Sequence, residues 1–150
     1  MQTSRSKAPL VARLALGSLF LVFGLNGFFH FLPQPAEPPP PEALAFGGAL
    51  FQTGYMFPLI KGTEVLAAAL LLGNRYVPFA LTLLAPIVVN IVAFHVFLAP
   101  GLAPLAIAFT ALGLGLYLAW TERAAFKPLF QTRALDSVAS PSWHGARRAT

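Results

Sequence analysis

Six polar side chains interrupt the long apolar runs of this sequence, and they are the residues whose types could do chemistry. They are two amides, two imidazoles, one ammonium and one carboxylate: Asn26, His30, Lys61, Glu64, Asn90 and His95. The imidazoles and the carboxylate can exchange a proton, and all six can hydrogen-bond a polar ligand. A charged residue at the centre of a bilayer costs about 2.5–3.5 kcal/mol. Together the six predict a ligand-binding or polar intramembrane cluster with partners on facing helices.

The spacing of the first four residues indicates how they are presented. Asn26 and His30 are four residues apart, and Lys61 and Glu64 are three apart. Residues at either spacing are neighbours on a helix surface. Each pair is therefore predicted to lie on one face of its helix.

The spacing of Asn90 and His95 predicts a different arrangement. They are five residues apart, so an unbroken helix would point them in different directions. Pro86 precedes both and is expected to kink the helix, because proline lacks the amide hydrogen and its ring crowds the preceding turn. Such a kink could redirect the half of the helix that carries Asn90 and His95.

The elements that must position these residues are apolar runs long enough to cross a bilayer. The predicted spans are residues 10–32, 57–73, 77–98 and 102–120. Between the first two spans, the proline-rich stretch 33–41 cannot stay helical, and 42–53 is predicted to be a short helix in the membrane interface. Residues 1–9 form a short polar segment, and 121–150 are expected to be a mostly disordered tail. The expected fold is all-α, a polytopic four-helix transmembrane bundle.

Composition supports a membrane location and excludes several function classes. The chain is 57% hydrophobic and only 10% charged, whereas soluble domains need roughly 25% charged residues. The net charge of +5 does not indicate nucleic-acid binding, because the basic residues are not interleaved with exposed aromatics on a soluble face. The sequence has no cysteine, which excludes thiolate catalysis, thiol relays and iron–sulfur ligation by this chain alone.

The distribution of basic residues predicts the orientation. Nine of the ten lysines and arginines fall on one side of the predicted spans: Arg5, Lys7, Arg13, Arg75, Arg123, Lys127, Arg133, Arg147 and Arg148. The loops of the other side hold none, so both termini are predicted to be cytoplasmic. At 1.5 Å per residue, the six polar residues then lie within roughly 12 Å of the outer boundary.

Simpler structural explanations exist for each member of the cluster. The Lys61–Glu64 pair could only neutralise itself so that a short span inserts. The two asparagines could be interhelical contacts, worth about 0.6 kcal/mol each. The two histidines lie near the interface, where an amphipathic ring is tolerated.

Other residues predict packing rather than chemistry. Gly17 and Gly24 are two turns apart in the first span, and Ala106 and Gly113 have the same spacing in the fourth. Small residues at this spacing favour close helix approach.

No ligand-spacing motif supports a metal site, although His30, Glu64 and His95 are competent ligands. The sequence also contains no P-loop, no nucleotide-binding fingerprint, no zinc-protease motif and no haem-attachment motif. With no catalytic motif, the chain is not expected to be an enzyme on its own, and no intrinsic cofactor or metal is predicted.

Three segments give the sequence a family resemblance. FLVFGLNGFFHFL, GYMFPLIKGTEVLAAALLL and NRYVPFALTLLAPIVVNIVAFHVFL, in this order, resemble the DoxX-like family of small bacterial membrane proteins. The resemblance covers roughly residues 12–129, and its more particular features are the GxNG motif with Asn26, the carboxylate Glu64 and the amide Asn90. It implies a four-helix bundle of the bacterial inner membrane associated with respiratory or quinone-linked oxidoreductases.

Three functions are compatible with these features. The first is an accessory subunit of a membrane redox system whose polar cluster binds a quinone-like headgroup or a lipid, in partnership with an oxidoreductase. The second is a non-enzymatic assembly or chaperone factor that pairs with a client's helices in the lipid bilayer. The third is a carrier of a small solute or of protons, which the apolar inner halves of the spans disfavour. No nucleic-acid partner is expected.

Overall fold

The computed structural model describes residues 7–33 and 38–130, and the backbone of this part forms helices and turns. The elements are α1 (Ala8–Phe29), α2 (Pro41–Gln52), α3 (Met56–Leu72), α4 (Val77–Phe97), α5 (Leu102–Thr121), α6 (Arg123–Phe126) and a 3-10 turn at Lys127–Phe130. The all-α prediction is confirmed for the described residues.

Three of these helices are long and apolar enough to cross a membrane. They are α1, α4 and α5, with 22, 21 and 20 residues. Helix α3 has only 17 residues, too few to be a candidate span by itself. Together with α2 it is long and apolar enough to cross a membrane, but the two helices are joined across a 91° bend. The chain is therefore multi-pass, with three candidate spans or up to four if the bent pair counts as one. A fourth, independent span at 57–73 stays a prediction.

Helices α1, α3, α4 and α5 pack as a closed ring around an apolar core. Helix α1 packs along α3, α3 packs against α4, α4 against α5, and α5 returns to α1. The most completely buried side chains of this ring are Leu16, Phe20, Leu71, Leu84 and Leu118, and they come from all four helices. Many large apolar side chains on the outside of the ring are exposed, which is compatible with contact to a lipid bilayer.

Close approach between α1 and α3 depends on two glycines. A Cβ atom built on Gly17 would lie 2.9 Å from Leu72 Cγ, and one built on Gly24 would lie 2.8 Å from Val65 Cγ2. The packing role predicted for these glycines is confirmed. The corresponding prediction for Gly113 on α5 is wrong, because a Cβ there would meet no atom within 4 Å.

Helix α1 ends earlier than predicted, at Phe29 rather than at the proline-rich stretch. His30 adopts a left-handed backbone conformation (φ 51°, ψ 42°), and its amide still donates to the carbonyl of Asn26. The Asn26 side chain holds the turn, because its Oδ1 accepts a hydrogen bond of 2.7 Å from the Leu32 amide. His30 is thus a cap residue, and the prediction that it shares a helix face with Asn26 is wrong.

Arg13 links α1 to the C-terminal end of α3 by hydrogen bonds. Its Nη1 donates to the carbonyl of Leu71 and, at 3.4 Å, to that of Leu72. These carbonyls belong to the last turn of α3, where the carbonyls run out of amides from a following turn of helix. The Leu71 carbonyl also accepts the amide of Asn74 at 3.1 Å. A positive charge at a helix C-terminus is also favourable to the helix dipole.

Two predicted segments fall partly outside the described residues. The proline-rich stretch 33–41 is described at residue 33 and from residue 38 onward. Of the predicted tail 121–150, residues 123–130 are helical, and the remainder lies outside the described part.

Candidate ligand-binding site

Lys61 and Glu64 form an ion pair on one face of α3. Lys61 Nζ lies 3.1 Å from Oε1 and 2.9 Å from Oε2 of Glu64, so the ammonium contacts both carboxylate oxygens. The Glu64 side chain is only 2% exposed, whereas that of Lys61 is 21% exposed. The predicted neighbouring positions of these residues are confirmed, and Glu64 is the more buried member of the pair.

One cavity adjoins this pair between α1, α3, α4 and α5. It has a volume of about 340 Å³. Its lining comes from α1, α3, α4 and α5: Leu19, Phe20, Phe23, Lys61, Glu64, Ile91, His95, Pro104, Ile107, Ala108 and Ala111. Lys61, Glu64 and His95 are its polar members, and the rest of the wall is apolar.

A second cavity adjoins the same pair and is lined by α2, α3 and α4. It has a volume of about 420 Å³. Phe46 of α2 lines this cavity, and the centroid of its ring lies 5.7 Å from that of Phe94 on α4. Both cavities share Lys61, Glu64 and His95. These three side chains therefore form a polar spot common to the walls of two largely apolar spaces, each within the size range of small-molecule sites.

His95 is held in a defined orientation at this spot. Its Nδ1 lies 2.8 Å from the carbonyl oxygen of Ile91, one turn earlier on α4. The ring of Phe94 packs edge-on against the imidazole at a centroid distance of 5.1 Å. These contacts fix the ring, and the side chain lines both cavities.

Asn90 borders only the second cavity. Among the described residues, its side-chain amide has no hydrogen-bond partner. The structure therefore places Asn90 and His95 around one cavity, although their spacing predicted different directions. A cavity wide enough to contact a broad sector of α4 accounts for this, and α4 runs through Pro86 without interruption.

Asn26 and His30 do not join this group. Asn26 pairs with the backbone at the end of α1, and His30 is exposed beyond that end. Neither residue lines either of the two cavities. Of the six predicted residues, four meet at the site and two shape the turn after α1.

Gly27 is a site residue that sequence reasoning did not single out. A Cβ atom at this position would lie 2.6 Å from both Cγ and Cδ of Lys61. The aliphatic stem of Lys61 therefore crosses α1 in the space that a glycine leaves free. The sequence signal for this position is the second glycine of the GxNG motif.

Two other features of the described residues carry no polar chemistry. An apolar groove of about 290 Å³ runs between α4 and α5, and Thr82 is its one polar lining residue. Within the described part of the chain, no three His, Asp or Glu side chains are grouped closely enough to hold a metal ion.

The chain was compared with protein-family models, with curated proteins and with solved structures. No match was found in any of the three comparisons. The DoxX-like resemblance therefore stays a prediction from the sequence motifs.

Proposed function

We propose that this chain is a DoxX-like accessory protein of a bacterial membrane redox system, and that it binds the headgroup of a quinone-like molecule. The two cavities around Lys61, Glu64 and His95 carry this proposal. Ligand pockets are usually apolar with a few convergent polar groups, and this site has that composition. An amphipathic ring with oxygen substituents matches apolar walls that surround one polar spot.

The side chains have distinct parts in such binding. The carboxylate of Glu64 holds the Lys61 ammonium in place by two contacts, which leaves one ammonium hydrogen for a ligand oxygen. Asn90 offers an amide that nothing else in the described residues uses. The rest of each wall is mostly apolar, so a ligand seated there would shield these hydrogen bonds from water and strengthen them. An oxidoreductase partner would supply the electron transfer.

The proposal includes a four-helix bundle with α2 lying in the interface. The 17 residues of α3 extend about 25 Å at 1.5 Å each, close to the thickness of a hydrocarbon core. If α3 crosses the membrane, a bend of 91° lays α2 roughly parallel to the membrane surface. Phe46 and Leu50 of α2 then face the protein across the second cavity, as expected for an amphipathic interfacial helix.

Occupying the second cavity with a side chain is expected to reduce ligand binding. Gly47 lines that cavity, and a Cβ there would meet no atom within 4 Å. The variant Gly47→Leu should lower the amount of quinone-like molecule that copurifies by about tenfold or more, because overpacking a filled site typically costs about 1–3 kcal/mol. The amount is measured by solvent extraction and mass spectrometry after purification in mild detergent.

Gly48→Leu is the matched control for this prediction. Gly48 is on the same helix and is equally unobstructed, but it does not line either cavity. The control should retain the wild-type amount. Absence of any quinone-like molecule from the wild-type preparation, or equal amounts in the two variants, would contradict the proposed function.

We also propose an inner-membrane location with both termini in the cytoplasm, on the basis of the basic residues on one side. Because the sequence lacks cysteine, single cysteines can be introduced without background. In intact spheroplasts, Gln52→Cys should react with a membrane-impermeant maleimide, whereas Ala124→Cys should react only after the membrane is opened. The reverse pattern would overturn the orientation.

A further inference from the structure

The hydrogen bond of the His95 ring indicates which kind of ligand group this site accepts. A carbonyl oxygen can only accept a hydrogen bond, so the 2.8 Å contact with Ile91 requires the hydrogen to be on Nδ1. In a neutral imidazole the other nitrogen, Nε2, then carries a lone pair and is an acceptor. Nε2 has no partner among the described residues.

Lys61 presents the opposite polarity at the same spot. An ammonium group has three hydrogens and no lone pair, and the two oxygens of Glu64 engage it at 3.1 and 2.9 Å. Its remaining hydrogen can only be donated. Both cavities are therefore bordered by a donor, Lys61, and by an acceptor, His95.

This pattern distinguishes the oxidised from the reduced form of a quinone-like ring. A quinone carbonyl can accept from Lys61, but placed against His95 Nε2 it would bring two lone pairs together. A ring hydroxyl can donate to Nε2 and can also accept from Lys61. A quinone carbonyl placed over Nε2 would cover this accessible acceptor with another acceptor, so no hydrogen bond forms and the desolvation of both groups stays uncompensated.

We infer that the site selects the reduced, dihydroxyaryl form of its ligand, with one ring hydroxyl donating to His95 Nε2. This inference rests on the proposed function and adds the ligand's oxidation state to it. It concerns binding only, and no electron transfer within this chain is required. The reduced form is expected to bind about tenfold or more tightly than the quinone, given the usual effect of an unmade buried hydrogen bond.

The test uses the full chain in mild detergent and three probes with the same ring and the same decyl chain. They are a benzoquinone, its hydroquinone kept reduced under argon, and the bis-O-methyl ether of that hydroquinone. The ether retains the oxygen acceptors and lacks the donors. Calorimetric titration should give the hydroquinone a dissociation constant about tenfold or more below those of the quinone and the ether.

Two variants assign the preference to His95. His95→Phe removes Nε2 and should bring the affinities for the three probes within about threefold of one another. His30→Phe is the same chemical change at an exposed residue that lines neither cavity, and it should leave the preference intact. A preference for the hydroquinone that His95→Phe leaves unchanged would overturn the assignment to this residue.

The wild-type comparison separates the two proposals without relying on a variant. If the quinone binds as tightly as the hydroquinone or more tightly, the inference fails while the proposed function stands. If none of the three probes binds, the proposed function itself fails.

Discussion

Replacing Lys61 with methionine is expected to destabilise the protein by about 3–5 kcal/mol, because removing one partner of a buried ion pair leaves an uncompensated charge. Glu64 is only 2% exposed, and Lys61 provides both of its hydrogen bonds among the described residues. Methionine retains the volume that packs against α1 at Gly27, so the change isolates the charge. The free energy of unfolding can be measured by SDS titration from mixed micelles, followed by circular dichroism.

The control for this prediction is the double variant Lys61→Met with Glu64→Met. Removing both charges should recover most of the lost stability, since a buried pair replaced by apolar residues is often neutral or stabilising. An unfolding free energy for Lys61→Met within about 0.5 kcal/mol of wild type would show that the pair is not coupled in this way, since changes of this size are typical of surface substitutions. A double variant less stable than the single variant would have the same meaning.

The double variant also separates stability from binding. If the pair served only to neutralise charge during insertion, the double variant would fold and still bind the hydroquinone. If the pair belongs to the ligand site, the double variant should fold with near wild-type stability and lose binding. The same protein preparation thus distinguishes the structural explanation of Lys61 and Glu64 from the functional one.

The variant Gly24→Ala is expected to destabilise the protein by about 1–3 kcal/mol, the usual effect of overpacking a close contact. The added Cβ would lie 2.8 Å from Val65 Cγ2 and 3.3 Å from the backbone nitrogen of Val65. A backbone atom cannot rotate away, so α1 and α3 would have to separate. The separation would also shift Glu64, whose Cβ lies 3.2 Å from the same point. SDS titration measures this effect as well.

Gly113→Ala is the matched control for the helix interface. It makes the same chemical change in another membrane-length helix, at a position where the new atom meets nothing within 4 Å. The alanine should be neutral or stabilise α5 by up to about 1 kcal/mol, because glycine is the poorer helix former. Equal effects of the two substitutions would show that the α1–α3 contact is not limited by size at Gly24.

The sequence by itself determined the helices and their approximate ends. Each apolar run became one helix, and the turn at Asn74 and Arg75 lies between α3 and α4, in the gap between the predicted spans 57–73 and 77–98. The lengths of the apolar runs and the positions of the prolines are local properties of the chain, so they predict helices without knowledge of the packing partners. The main error of this kind was the end of α1, because Asn26 closes the helix before the proline-rich stretch is reached.

The neighbouring positions of Lys61 and Glu64 were also determined locally, since residues three apart on a helix are adjacent in any fold. Which other polar residues belong to the site was not determined locally. Whether Asn90, His95 or His30 reaches the pair depends on how the helices rotate and cross, and no single helix encodes that. His30 is excluded by a left-handed backbone conformation that its residue type does not predict.

Only the tertiary structure decided the surroundings of the pair. The stem of Lys61 fits against Gly27 on α1, and Arg13 of the same helix binds the last carbonyls of α3. Both contacts join residues far apart in sequence, so they follow from the packing of α1 on α3 rather than from either helix alone. The sequence thus identified which polar groups the apolar helices carry, and the packing selected the four that border the cavities.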